Sequence, residues 1–382
     1  MIPMMNRIAP IAVAVMLAAC SSLNPFASKP KNSPTPLMSF TPSMAVRVVW
    51  SVNIGKAGNQ VLRPAYSEDR LFVANENGEL MSIEPSNGKI AWKINTGTRL
   101  VSGVAADGGT VVVAGAEGVV QAFDAASGQK RWKFDASTEV LSAPAIGNGT
   151  VVLRSLDNRI VALDAGTGNR RWYLQRNTPA LALHAAPGIV VSDGLAFVGL
   201  PAGRLIALSS LSGAPRWEVA VAEPRGATEL ERVSDVSGTP ALMGRDICAT
   251  SYQGRIACVD AGNGTLRWAR ELSSAVGPGI DQRYVFAADD KGNLQAFARE
   301  TGSNLWRNTS LAWRGLSAPV SFGRAVVVGD RQGYLHFLSR EEGAMLARLS
   351  TDGSAVSATP LVAGSNLIVQ TQDGKLMAVA SD

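Results

Sequence analysis

Two histidines and three cysteines are all that this 382-residue chain offers for metal or thiol chemistry, and their spacing argues against most of it. His184 and His336 are far apart. There is no HExxH to seat zinc on a helix, no paired-Cys motif suited to zinc and no CxxCH for haem. His336 falls within an apolar strand pattern and reads as a structural residue rather than a ligand. Cys248 and Cys258 stand symmetrically about a turn at Gln253, on two strands of one hairpin. In an oxidising compartment such a pair can close a disulfide; two buried free thiols are the alternative. Neither has a His or other base nearby in sequence to activate a thiolate. Gly108-Gly109 and similar spots sit in turns between strands, not ahead of helices, so they do not form phosphate loops. With no convergent acid, base and nucleophile, the expectation is a non-enzymatic protein without catalytic residues, metal or cofactor.

Cys20 belongs to a different context. Arg7 and the apolar run 8–19 precede it, ending Leu17-Ala18-Ala19-Cys20. This is the pattern of a signal peptide over 1–19. Its end resembles the lipobox of bacterial lipoproteins, in which cleavage precedes the Cys and the thiol carries lipid. Ser21, in place of Asp, implies sorting to the outer membrane. Residues 20–45 hold Pro25, Pro30, Pro34, Pro36 and Pro42 among Ser, Thr and Lys, and are expected to be an extended, poorly packed tether. The net charge of +5 is small and spread along the chain, which does not suggest a nucleic-acid partner.

What must position any site is a repeat. Eight copies of one pattern begin at Gly78, Gly118, Asn158, Gly203, Gly254, Gly292, Gly333 and Gly374. Trp92, Trp132, Trp172, Trp217, Trp268 and Trp306 each follow 14 residues after the first six; the seventh copy has Ala347 instead. A period near 40 residues made only of strand patterns predicts propeller blades. Each unit reads as four strands. Strand A follows a Pro in most units; strand B is an apolar run such as 110–114; strand C reads Leu-x-Ala-φ, φ being apolar; strand D carries the Trp. The C–D turn, as in Asp124-Ala-Ala-Ser-Gly128, uses Asp to bond its own backbone and Gly to take a positive φ. The Trp rings, Trp50 included, are expected to fill wedges between neighbouring sheets, each indole N–H finding an acceptor. The eighth copy ends before a strand D, and Val46-Arg-Val-Val-Trp50 supplies it. The predicted fold is therefore an all-β, eight-bladed propeller of four-stranded antiparallel blades over 46–382, its last blade closed by the N-terminal strand, leaving no open sheet edge.

Length variation concentrates between strand D and the next strand A. The longest link runs from Trp217 to Pro240, and its neighbour from Trp172 to Pro187 is next. Such links share one face of a propeller, and function tends to sit on loops held by a rigid scaffold. The longer link mixes charges with Leu230 and Val233; the other places Leu181 and Leu183 beside His184. Together they read as a small apolar spot with a charged rim, a partner site; passive insertions with leucines tucked under their own loops are the alternative.

The Ala-φ-Asp-x-x-Thr/Ser-Gly-x-x-x-Trp pattern resembles the tryptophan-docking repeat of quinoprotein-type propellers. With the lipobox, the tether and the stretches Thr228-Glu-Leu-Glu-Arg-Val-Ser-Asp-Val236 and Val328-Gly-Asp-Arg-Gln-Gly-Tyr-Leu-His336, the whole mature chain is similar to the BamB family of outer-membrane assembly lipoproteins. That resemblance implies a scaffold on the periplasmic face of the outer membrane. It would bind the POTRA domains of BamA beside the other Bam lipoproteins and assist nascent outer-membrane proteins. The family's Leu-x-Leu-Arg and Arg-x-Ser-Asp-Val-Asp loops match Leu181, Leu183 and Asp235, with Glu231 and Arg232 alongside. His184 stands where the family has Arg, and Ser237 where it has a second Asp, which implies weaker charge pairing. A quinone-cofactor dehydrogenase is the runner-up, and a peptide- or cell-wall-binding lipoprotein the third reading.

Overall fold

The computed structural model describes residues 32–382 apart from 141, 177–186 and 225. Cys20, Leu181, Leu183 and His184 lie outside the described residues. The chain divides into Met1–Pro34 and Thr35–Asp382, and the second unit is the propeller. Its strands form eight four-stranded antiparallel sheets. In blade 2 the strands are Ala105–Asp107, Thr110–Ala114, Val119–Asp124 and Lys130–Asp135, in that order across the sheet. The eighth blade is Leu361–Ala363, Asn366–Gln370 and Lys375–Ser381, completed by Val46–Asn53. Trp50 there pairs with Ala378. Strand A of blade 5, Val236–Met243, runs through its Pro instead of following it, with a register shift between Ser237 and Ala241 that accommodates the ring.

Eight apolar clusters occupy the eight wedges between sheets. One joins blades 1 and 2 through Phe72, Leu80, Val111 and Phe123; another joins blades 4 and 5 through Phe197, Leu205, Ile247 and Val259. Strands B and C are buried almost throughout because both of their faces meet a neighbouring sheet.

Tryptophans close seven of the eight wedges. Trp50, Trp92, Trp132, Trp172, Trp217, Trp268 and Trp306 donate their indole N–H groups to backbone carbonyls of Pro85, Ala125, Ala165, Ser210, Ala261, Arg299 and Arg340, at 2.7–2.9 Å. Each acceptor lies in the C–D turn of the next blade. The ring also lies against that turn's glycine: a Cβ on Gly302 would come within 2.4 Å of Trp268. Gly is thus required there both for φ of +67° and for the ring's approach. One strand-D residue bulges out of register just before the Trp, as between Ala122 and Phe123 opposite Trp132 and Lys130. In blade 2 the extra residue is Arg131, which bonds Thr110 Oγ1 at 2.7 Å and Asp124 Oδ2 at 2.7 Å. Arg131, then Ser127 and its backbone N–H, hold the Asp124 carboxyl well below the usual carboxylate range.

Blade 7 breaks the pattern for a geometric reason. Blade 8 is assembled from the two ends of the propeller chain, so it has no C–D turn on which a seventh-blade Trp could dock. Ala347 faces Phe337 across the strands, the large residue having moved inward to strand C. Met44, 3% exposed, packs in the same wedge with Phe322, Leu346 and Ala347.

Met44 arrives there on a strap, the C-terminal part of the Pro-rich segment. From Thr35 onward the chain is held against blade 7. Thr35 donates its N–H to the Ala312 carbonyl at 2.9 Å, and Ser43 donates to Leu346 at 3.0 Å. Arg314 donates to the Thr35 carbonyl, Arg348 to Met38 and Arg324 to Ser43, while the Arg348 guanidinium sits over Phe40. Backbone groups of Thr35, Met38 and Ser43 are thus paired along the strap. We expect Ala347→Trp, which restores the repeat's usual residue, to destabilise the fold by about 1–3 kcal/mol through overpacking against Met44 and Phe337. Urea unfolding checks this; a gain in stability would show the wedge to have room.

Candidate functional site

In an up-and-down blade the B–C turns and D–A links share one face, and the A–B and C–D turns share the other. On the link face, the two long connections rise from neighbouring roots that are tied together. At their start, Glu218 on strand D of blade 4 accepts from Arg176, at the end of blade 3, at 2.6 Å and from Arg204 at 3.0 Å. At their end, Gly188 donates its N–H to the Gly238 carbonyl at 3.0 Å. A Cβ on Gly188 would lie 2.0 Å from Thr239 Oγ1, so the two exits approach as closely as glycine allows. The roots of the two connections are thus neighbours at the junction of blades 3, 4 and 5.

The longer link is built from the inside outward. Val233, Ser234, Asp235 and Val236 are buried and anchor it, whereas 223–232, residue 225 aside, is exposed. Its tip is a single turn closed by a capping box. Glu231 Oε2 accepts from the backbone N–H groups of Ala227 at 2.8 Å and Thr228 at 3.1 Å, and Glu231 donates its own N–H to Thr228 Oγ1 at 3.3 Å. Bonds from the Thr228 and Ala227 amides hold the Glu231 carboxyl below its ordinary value. Arg232 folds back on the carbonyls of Gly226 and Ala227. The turn presents Leu230, 70% exposed, at its apex. On the B–C turn of blade 3, Leu156 is also exposed.

The sequence-derived residues therefore separate by role. Glu231 and Arg232 are at the surface but use their polar groups to shape the turn. Asp235 is 4% exposed; its Oδ1 accepts from Ala202 N at 2.8 Å, and its carbonyl accepts from Tyr252 N at 2.9 Å. Beside it lies buried Arg154, which donates to the Gly199 carbonyl at 2.7 Å. Burial lowers the Arg154 pKa to about 10, and the Asp235 charge works against that fall. Asp235 is thus placed to position the link. Ser237 is also interior, donating to the Ser274 carbonyl at 2.6 Å. Sequence reasoning missed the capping box, although Thr228-x-x-Glu231 is its signature; it missed Leu156, for which a lone apolar residue in a turn gives no signal.

Elsewhere, Cys248 and Cys258 pair across strands B and C of blade 5, both fully buried and joined as a disulfide. His336 is fully buried, its Nε2 2.8 Å from Asp330 Oδ2. Among the described residues, no group of three or more His, Cys, Asp or Glu side chains is placed to hold a metal ion.

A family model described as outer membrane protein assembly factor BamB matches residues 46–102, 91–308 and 290–382. The outer membrane protein assembly factor BamB of Pseudomonas aeruginosa is 44% identical, the match covering 96% of this chain and 97% of that protein. The crystal structure of BamB from Moraxella catarrhalis superposes with a TM-score of 0.81 at 28% identity, covering 88% of this chain and 100% of that one. A quinohemoprotein alcohol dehydrogenase from Pseudomonas putida superposes with a TM-score of 0.68 at 13% identity, covering 88% of this chain and 76% of that one; at that identity the likeness is one of fold.

Proposed function

Because the chain belongs to the BamB family of outer membrane protein assembly factors, we propose that it is a non-catalytic scaffold of the outer-membrane β-barrel assembly machinery, docking on the periplasmic POTRA domains of BamA through its link face. In this reading Cys20 carries the lipid that holds the protein at the periplasmic face of the outer membrane. The other Bam lipoproteins are its neighbours, and the folding and insertion of nascent outer-membrane proteins is the task it assists.

The observation that carries the reading is the patch itself. Between roots tied to those of its neighbour, the longer link projects a capped turn with Leu230 at its apex and charged side chains around it. An apolar anchor inside a polar rim is the anatomy of a transient protein interface, in which few residues supply most of the affinity. Leu181, Leu183 and His184 belong to the neighbouring connection and are proposed to complete the patch.

The test is calorimetric titration of the mature chain with POTRA domains from the same organism. Leu230→Asp is expected to weaken binding by about tenfold or more, a loss of roughly 1.4 kcal/mol, and Leu183→Ala to weaken it as well. Leu211, 69% exposed in the C–D turn of blade 4 on the opposite face, is the control, and Leu211→Asp should bind as wild type does. Wild-type binding that is absent, or insensitive to Leu230 and Leu183, would sink the assignment.

A further inference from the structure

We propose that the channel on the propeller axis is a second binding site, for small organic acids that combine one carboxylate with an apolar body, and that Arg63 is the residue that recognises the carboxylate. The channel holds a cavity of about 620 Å³ lined by residues from all eight blades, Ala65 and Val104 from the first two and Ala318 and Leu361 from the last two among them. That volume lies within the range that small-molecule sites occupy. The walls mix apolar residues such as Val104, Ile189, Val276 and Leu361 with polar ones such as Ser102 and Thr239, and two charged residues, Arg63 and Glu139, belong to the lining.

Arg63 differs from the paired arginines of the fold. Arg299 is paired with Asp246, Arg314 with Asp330 and Arg340 with Asp281. The Arg63 guanidinium has no hydrogen bond or ion pair among the described residues, and burial lowers its pKa with no neighbouring charge to offset the fall. Its backbone is nevertheless fixed. The Arg63 carbonyl accepts from Val104 N at 3.0 Å, and Gly103 packs so closely that a Cβ there would lie 2.8 Å from Arg63 N. Arg63 is half-buried, and its guanidinium keeps contact with the solvent of the channel while pairing with no group of the fold, which leaves it open to a ligand there. The backbone fixes where the side chain enters the channel, and the planar guanidinium fork matches a carboxylate in bidentate geometry. Glu139, elsewhere on the lining, opposes a second negative charge, which favours monocarboxylates over phosphates and dicarboxylates.

The experiment is titration of the mature chain, followed by ligand-observed NMR, with octanoate, benzoate and N-acetylphenylalanine and with their neutral amides. The first two acids represent free metabolite-like acids and the third the carboxyl end of a peptide, so their ranking distinguishes the two sources. At least one acid is expected to bind saturably, with its amide at least about tenfold weaker. Arg63→Gln should remove that preference while melting near the wild-type temperature, and Arg63→Lys should retain part of it. No saturable binding of any acid up to about 10 mM, equal binding of acid and amide, or wild-type binding by Arg63→Gln would overturn the proposal. An Arg63→Gln protein that melts well below wild type would also overturn it, because Arg63 would then serve the fold.

Discussion

Asp330→Ala is expected to lower the free energy of unfolding by about 3–5 kcal/mol, because it removes the one carboxylate that compensates a buried cation. Asp330 is fully buried. Its Oδ2 accepts from Arg314 Nε at 2.7 Å and lies 2.8 Å from His336 Nε2; its Oδ1 accepts from the backbone N–H groups of Gln332 at 2.9 Å and Tyr334 at 3.0 Å. Arg314 is only 5% exposed and reaches on to the Thr35 carbonyl, so the network holds the strap as well as the blade. Without Asp330, Arg314 stays buried and uncompensated, and the amides of Gln332 and Tyr334 lose the acceptor they share. Urea unfolding measures the loss. A change under about 1 kcal/mol would mean that solvent reaches Arg314 and that the network is not what closes blade 7.

The same network gives a pH dependence whose sign can be worked out. Burial lowers the pKa of His336, outweighing the hydrogen bond and charge of Asp330, while Arg348 and Arg314 push in the same direction as burial. Burial raises the Asp330 carboxyl, but the bonds to His336, Tyr334 N and Arg314 outweigh it and leave the group below its ordinary value. His336 is therefore neutral, its Nε2–H donating to Asp330, and its buried Nδ1 has no partner to welcome a second proton. The unfolded chain takes up that proton below about pH 6.5 and the folded chain only at lower pH. The stabilisation is present in full above about pH 6.5 and is lost as pH falls toward the folded pKa. Melting temperature should drop between about pH 7.5 and 5.5 in wild type, and by less in His336→Gln. Equal drops in the two proteins would place the titration elsewhere.

The repeat was readable because its physics is local. A turn that needs positive φ selects Gly, a C–D turn selects Asp and Gly, and a wedge that needs filling selects Trp at a constant distance. Strand B of blade 2 falls at Thr110–Ala114, as its apolar run predicts. Features that depend on distant partners were not readable. The composition of residues 35–45 is that of extended chain, and extended chain has the same composition whether free or laid along a sheet. The trace of docking in the sequence is indirect: Ala347 where Trp is expected, and Met44 near the start of the closing strand. Arg63 stands before a strand-opening Pro like any other link residue, and its lack of a partner emerges only when eight inner strands converge around it. Asp235 sits in a run of charges and reads as rim, yet the N–H that claims it belongs to Ala202, 33 residues away.

That burial leads to the second large effect. Asp235→Ala is expected to cost about 3–5 kcal/mol of stability, because Arg154 beside it is itself buried and keeps its charge without the acid. The turn at Ala202 also loses its acceptor. Because Asp235 anchors the base of the link that carries Leu230, POTRA binding should weaken together with the melting temperature. Asp235→Asn, which keeps an oxygen for Ala202 N but loses the charge, should fall between wild type and Ala in both. Leu230→Asp, at an exposed apex, should weaken binding while leaving the melting temperature within about a degree or two of wild type, as surface substitutions do. The two variants thus separate a residue that holds the surface from one that forms it. If Asp235→Ala instead weakened binding with no thermal penalty, the carboxylate would be reaching the partner itself, and the link would have to open on docking to release it from Ala202.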